Sequence, residues 1–542
     1  MRILNCSEVE TAASGPEARP QILMQRAGYA VAQFCASQFK FRSVCVVCGR
    51  GKKGGTGLIT AKALQPIAET VSVIILARAA DELSADVAAC LSGDIEPIWI
   101  ADETDLAGRA AQQALDADLV IDAIIGTGFK PPLRGLAGAA VAAVNDAPGT
   151  IVAVDVPSGI DADSSAPVGA TGGNMVFAHG VIALIAPKPA HVFGQLTAGP
   201  IAVSEIGVQP AFVPGASGIE VLTGRDVGVT FPPLPNDGRE VHLGHVLVVA
   251  GSPDEAGAAA LAGLAALSAG AGRVTVACPK SIASTVAGFS AALVTHGLPE
   301  TEDGTIAAAA GERIDTLLAG KDVVVLGPGL ARDRETAAFV RRLAEGCPLP
   351  LVLDGEGLDA LAGRGQQPVR AGAAAVRVLL LDADQAGRLA GAATVDVTTD
   401  RVEAARRVSR ATGACVVLKG WRTAVAGAAD EVWINMSGNA VLAKAGMDAV
   451  LSGIIGAALA RHGGDRTGAA APPRTTDGAF HRTVLDDLHV AAAVHLHGLA
   501  ADIARDALHD NAVTATDLLE ALVEAFRDSD LQIERNLFFL RK

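Results

Sequence analysis

Short apolar runs recur along the chain, spaced so that a helix fits between most of them. In the first half they are Val44–Val47, Val71–Leu76, Leu119–Ile125, Ile151–Val156 and Val181–Ile185. They are nearly continuous rather than alternating with polar residues. That pattern predicts strands covered on both faces, as in a parallel sheet. A helical segment over Pro20–Phe39 precedes them. The second half restarts with Val246–Ala250 and an Ala-rich helix from Ala256. It continues through Val274–Ala277, Val323–Leu326, Leu351–Leu353, Val378–Leu381 and Val416–Leu418. The expected fold class is α/β in two parts, with ligands at the strands' carboxyl ends.

Residues 208–240, rich in proline and glycine and including Phe231–Pro235, read as a linker. The domains are therefore expected at 1–215 and 216–542. The Gly/Pro/Thr-rich stretch 464–480 reads as a loop, and helices are expected to close the chain near Phe526.

Composition adds limits. A chain of 542 residues is too long for one core. Aromatics are only 3%, so the cores must be packed from Ala, Val, Leu and Ile. A formal net charge of -15 without a basic tract argues against nucleic acid as a partner. The start lacks a long apolar segment, and no stretch of about 18 apolar residues runs free of charge. A cytoplasmic protein without membrane partners, assembling as a homo-oligomer, is expected. Cys45 and Cys48 lie three apart in one strand and so face opposite sides, which reads as two buried thiols. His481, His489, His495 and His497 lack an acid or Cys partner at metal spacing and read as helix-face or core histidines rather than zinc ligands.

Candidate chemistry sits at the strand ends. Five glycines fall in Gly49–Gly57, where backbone N–H groups could approach a phosphate. No Gly-Lys-Ser/Thr follows, so this is not a P-loop. Asp122 ends one apolar run and leads into Gly126-Thr127-Gly128-Phe129-Lys130. Asp155 ends another and leads into Pro157-Ser158-Gly159-Ile160-Asp161-Ala162-Asp163. In one parallel sheet these three segments should converge on one crevice; independent turns and caps are the simpler alternative.

Taken in order with Ala186-Pro187-Lys188-Pro189, these motifs resemble the NAD(P)H-hydrate epimerase family. The resemblance implies a Rossmann-like three-layer fold that interconverts the R and S epimers of hydrated NAD(P)H beside a potassium ion. It implies Asp155 as the acid–base group, and Asp122 and Ser158 as ion ligands. Lys52, Gly54, Gly55, Thr56, Gly126, Thr127, Gly128, Phe129 and Lys130 would border the dinucleotide. The family's glycine loop carries two asparagines where this chain has Lys52 and Lys53, and an aspartate where it has Thr56. Lysine has only donors. The Lys53 ammonium is therefore expected at the potassium position, paired with Asp122; two solvated lysines in a decayed loop are the alternative.

In the second half, Gly251-Ser252, Gly327-Pro328-Gly329, Leu353-Asp354, Leu418-Lys419-Gly420 with Thr423, Ser437-Gly438-Asn439 and Leu496-His497-Gly498 occur in order. They resemble the ADP/ATP-dependent NAD(P)H-hydrate dehydratase family, of ribokinase-like fold. The resemblance implies an adenine nucleotide, ADP or ATP with Mg2+, bordered by Lys419, Gly420 and Thr423. Ala258 and Gly329 would approach the hydrate. The family's catalytic aspartate falls on Ala449, and Asp448 stands one residue early, in Ala445-Gly446-Met447-Asp448. One helical residue turns a side chain by about 100°, so Asp448 is not expected to serve without a remodelled turn. Asp382 and Asp384 stand where the family has histidine and glycine. The expected function is hydrate repair with an impaired dehydratase. The rivals are a non-catalytic nucleotide-binding or scaffolding homologue, and a small-molecule kinase using Asp448 as base.

Overall fold

The computed structural model describes the chain except residues 15–18, 92–93, 166–173, 209–217, 235, 237–242, 363–375, 392, 428–429, 463–477, 531–536 and 541–542. Two compact units result. One holds Arg2–Ile219 and Arg535–Lys542; the other holds Met1 and Glu220–Glu534.

The first unit is built on an eight-stranded sheet. Its order is Leu537–Phe539, Ile201–Ser204, Gly180–Leu184, Thr150–Val154, Leu119–Ala123, Ser43–Cys48, Thr70–Ile75 and Ile98–Trp99. All pairings are parallel. Chain order reverses beside Ser43–Cys48, which pairs with both Leu119–Ala123 and Thr70–Ile75. Such a switch point leaves a crevice at the strands' carboxyl ends. Helices Pro20–Gln38 and Lys52–Leu64 pack on each other and on the sheet. Their apolar residues and Val44, Val46, Ile121 and Val152 form one buried core.

The second unit carries a ten-stranded sheet. Its order is Val294–Leu298, Arg273–Pro279, His245–Val249, Val323–Leu326, Leu351–Leu353, Arg377–Leu381, Cys415–Leu418, Ala424–Ala426, Val432–Ile434 and Ile219–Val221. The first seven pair in parallel; the next two turn antiparallel. Helices Ala256–Ser268 and Met447–His462 cross the sheet in close contact, because a side chain at Gly453 would collide with the Ala262 carbonyl.

The eleven strands predicted from apolar runs are all present. Residues 208–240 are not simply a linker. Ile219–Val221 is an edge strand and Gly224–Thr230 a helix, its first turn closed by Thr223 and Asp226. Nor does the chain finish on helices: Leu537–Phe539 adds a strand beside Ile201–Ser204. A three-residue strand on a sheet edge carries too little pattern to separate it from loop. The predicted loop 464–480 lies mostly outside the described residues, and helix Gly478–Ala507 begins within it. Among the described residues, no helix is long and apolar enough to cross a membrane.

Candidate active sites

In the first unit, Asp122 and Asp155 sit at the carboxyl ends of neighbouring strands, as the apolar runs imply. Asp122 is fully buried. Its carboxylate accepts from the Ile124 N–H at 3.1 Å, the Ser158 N–H at 2.7 Å and the Ser158 hydroxyl at 2.5 Å. The Lys53 ammonium completes the set, 3.2 Å from Asp122 Oδ2, 2.8 Å from the Val156 carbonyl and 3.1 Å from Ser158 Oγ. Burial lowers the Lys53 pKa, and the charges of Asp122 and Asp155 oppose that shift. Lys52, one residue earlier, is exposed.

The glycine segment is not one long loop. The helix begins at Lys52, so Gly54, Gly55 and Thr56 lie buried in its first turns. A side chain at Gly54 would collide with the Gly49 carbonyl, and one at Gly55 would come within 2.8 Å of Met24 Sδ. Thr56 Oγ1 bonds the Lys52 carbonyl at 3.2 Å. These residues let the helix pack tightly, which gives their small size a reason other than ligand contact. Gly126 does border Lys53, and a side chain at Gly128 would meet open space. Lys130 ties the segment to the next motif, 2.8 Å from Asp161 and 3.5 Å from Asp163, while the Thr127 carbonyl accepts from Cys6 at 3.2 Å. Phe129 closes the turn, its N–H reaching the Gly126 carbonyl at 3.3 Å.

Asp155 has φ +63°, in the left-handed region that a non-glycine residue seldom adopts. What holds it there was not assigned from sequence. Lys188, with no exposed surface, donates to Asp155 Oδ1 at 2.5 Å and to the Leu184 carbonyl at 2.6 Å. His191 Nδ1 accepts from the Lys188 N–H, so its Nε2 donates to the Asp155 carbonyl at 2.6 Å. Burial, then the nearby Lys188 charge, pushes His191 down to about 4, which keeps it neutral. For Asp155 burial favours the neutral acid, yet the Lys188 charge, aided by the Leu184 N–H, outweighs it and holds the carboxyl below its usual range. The available signal was Lys188 itself: a lysine between prolines, next to an apolar strand.

In the second unit, three charged groups meet at the sheet's carboxyl edge. Asp354 is buried after Leu351–Leu353. Lys419 follows Cys415–Leu418, and its ammonium lies 3.3 Å from Asp354 Oδ1 and 2.8 Å from Asp448 Oδ2. Burial, helped by the Asp448 charge, raises Asp354 to about 6. Burial opposes the Lys419 charge, but the two carboxylates hold its pKa above the usual lysine range. Arg401 clasps the Leu418 and Lys419 carbonyls at 2.8 and 2.7 Å and so fixes the turn before Gly420. Thr423 Oγ1 closes this turn on the Gly420 carbonyl at 2.9 Å. Gly329, at φ +64°, faces Ala258, whose Cβ would lie 2.8 Å from any side chain there.

Helix Met447–His462 starts one residue before Asp448. Ala449 is buried, whereas the Asp448 side chain is 58% exposed. The Asp448 carboxylate is committed to Lys419, a pairing that the one-residue offset from position 449 did not suggest. The reason is the buried Asp354, which brings the ammonium within reach of the helix start.

Asp382 has a structural role. It caps helix Ala383–Ala390 in a reciprocal capping box with Gln385, at 2.7 and 3.1 Å. Asp384 accepts from Thr394 at 2.6 Å. Asp382→Ala is expected to cost about 1 kcal/mol of stability, the usual worth of such a cap, and to leave nucleotide affinity unchanged. Urea unfolding and a binding titration check both. His489, His495 and His497 bond Thr230, Asn435 and the Met447 carbonyl respectively. The His481 side chain is outside the described residues.

The NAD(P)H-hydrate dehydratase family model matches residues 246–524, and that of the YjeF-related protein N-terminus matches 20–190. A bifunctional NAD(P)H-hydrate repair enzyme of Moorella thermoacetica is 33% identical over 525 residues, covering 95% of this chain and 93% of that protein. The enzyme of the same name from Escherichia coli is 30% identical over 440 residues, 81% of this chain and 80% of that one. Among solved structures, the ADP/ATP-dependent NAD(P)H-hydrate dehydratase of Bacillus subtilis, co-crystallized with ATP/Mg2+, is 22% identical. It covers 58% of this chain and 100% of its own, with a TM-score of 0.46.

Proposed function

The chain belongs to the family of bifunctional NAD(P)H-hydrate repair enzymes, and on that premise we propose a division of labour. The first unit interconverts the R and S hydrates at Asp155. The second holds an adenine nucleotide and dehydrates the S form slowly.

The observation that carries the first half is the pair of a buried Lys188 with the partly buried Asp155 at a strand end. Inverting a ring carbon that bears a hydroxyl requires its C–O bond to break and re-form on the opposite face. A proton must reach the departing oxygen and be taken back from the returning water. The Asp155–Lys188 pair can perform that exchange: a proton from the Lys188 ammonium, relayed through the Asp155 carboxylate, leaves with the departing oxygen as water, and the water added on the other face returns a proton by the same path. The open turn at Gly128 borders the same strand ends and leaves room for a dinucleotide.

For the second unit, ADP-dependent dehydration needs a base for the hydrate's hydroxyl and donors for phosphate. Lys419, with the start of helix Met447–His462, supplies donors. The base is compromised, since Asp448 is paired with Lys419 and position 449 is alanine. These residues fit Mg2+ poorly, because the Lys419 ammonium stands between Asp354 and Asp448. Bound Mg2+ would supply neutralisation of phosphate charge.

The test is chromatographic: pure R hydrate incubated with the full chain. An equilibrium mixture of both epimers is expected well ahead of the uncatalysed rate; an unchanged R hydrate would remove this function.

A further inference from the structure

The first site holds a charge that its proposed chemistry does not consume. Lys53 Nζ is buried among the Asp122 carboxylate, the Val156 carbonyl and the Ser158 hydroxyl at 3.2, 2.8 and 3.1 Å. An ammonium has three hydrogens, and these oxygens are three acceptors. Ser158 Oγ can accept because its own proton goes to Asp122 Oδ1 at 2.5 Å, while the Ile125 N–H approaches it at 2.9 Å. Every donor and acceptor is matched, as a buried charge requires.

Oxygens at such distances on one side of a buried carboxylate would also suit a bare monovalent ion. The family resemblance implies potassium there. The residues present do not fit it: the ammonium stands amid those oxygens, and it can only donate. We infer that Lys53 is this chain's own covalently tethered cation, so that the first unit needs no dissociable one. The inference rests on the epimerase reading of the site. Tethering keeps the charge at high effective concentration whatever the salt. With all three hydrogens committed to protein oxygens, the ammonium steadies the Asp122–Ser158 turn rather than gripping substrate. Lys53 is thus a positioning residue.

The test compares the full-length wild type with Lys53→Asn, which replaces the ammonium with a carbonyl that can ligate a cation. The buffers contain either potassium or tetramethylammonium at equal ionic strength. Wild-type epimerisation rate is expected to agree within about twofold between them, and its unfolding midpoint should not move. Lys53→Asn should lose about tenfold or more in tetramethylammonium and recover in potassium, with a matching rise in midpoint. Crystals soaked in thallium(I) should show its anomalous peak beside Asp122 only in Lys53→Asn. A potassium-stimulated wild type, or a thallium peak beside Asp122 in it, would overturn the inference. Midpoint and diffraction do not depend on turnover. An inactive wild type without thallium, beside a Lys53→Asn that binds it, would retain the built-in cation and discard the epimerase reading.

Discussion

Lys188→Met is expected to slow epimerisation by about 10²-fold or more, the usual scale for losing a group that tunes an acid–base residue. Stability should fall by about 3 kcal/mol, because removing one partner strands a buried charge. Methionine keeps much of the side chain's length, so the loss isolates the ammonium. Asp155 would retain the Leu184 N–H at 3.0 Å and little else. His191 cannot substitute, since it is neutral and already bonded to the Asp155 carbonyl. The sign of the pH effect follows. In the wild type the Asp155 carboxyl is depressed on folding, so its contribution to stability is complete above its usual pKa and lost as pH falls through the lower folded value. In Lys188→Met burial dominates and the carboxyl rises, so the acid limb of the rate profile should move to higher pH. Rate–pH profiles with urea unfolding test this. A variant with unchanged rate and profile would remove Asp155 from the chemistry.

The second large effect concerns Asp448. Moving the carboxylate by one residue, with Asp448→Gly and Ala449→Asp together, should raise the rate of ADP-dependent dehydration by about 10²-fold. The double change frees Lys419 for phosphate and turns the base through roughly 100° on the helix. Asp448→Gly alone should tighten ADP binding without restoring the rate. Isothermal titration and single-turnover kinetics separate the two, with thermal unfolding as a check that a carboxylate at 449 is tolerated. A wild type that dehydrates rapidly and loses that rate in Asp448→Gly would instead make Asp448 the working base.

Much of this was legible in the sequence where several signals coincide. Strands such as Leu119–Ala123 are uniformly apolar because both faces are covered, and a carboxylate directly after such a run marks a strand end at the crevice. Asp122, Asp155 and Asp354 were visible for that reason. Lys53 was visible because it breaks a glycine-rich motif. Lys188 and His191 were not, because their role depends on a fold that returns residue 188 to residue 155. Asp382 was misleading: a carboxylate in a site-like position turned out to cap a helix, as Asp followed by Gln at three residues also permits. The short edge strands at 219–221 and 537–539 owe their existence to the sheets they extend, not to local preference.

The most direct measurement starts from pure R hydrate of NADPH with the full chain, ADP and Mg2+, following epimer ratio and NADPH absorbance in the same reaction. Rapid equilibration of the epimers and a much slower return of absorbance are expected, independent of added potassium. Absorbance returning as fast as the epimers equilibrate, or epimers that never equilibrate, would contradict this division of labour.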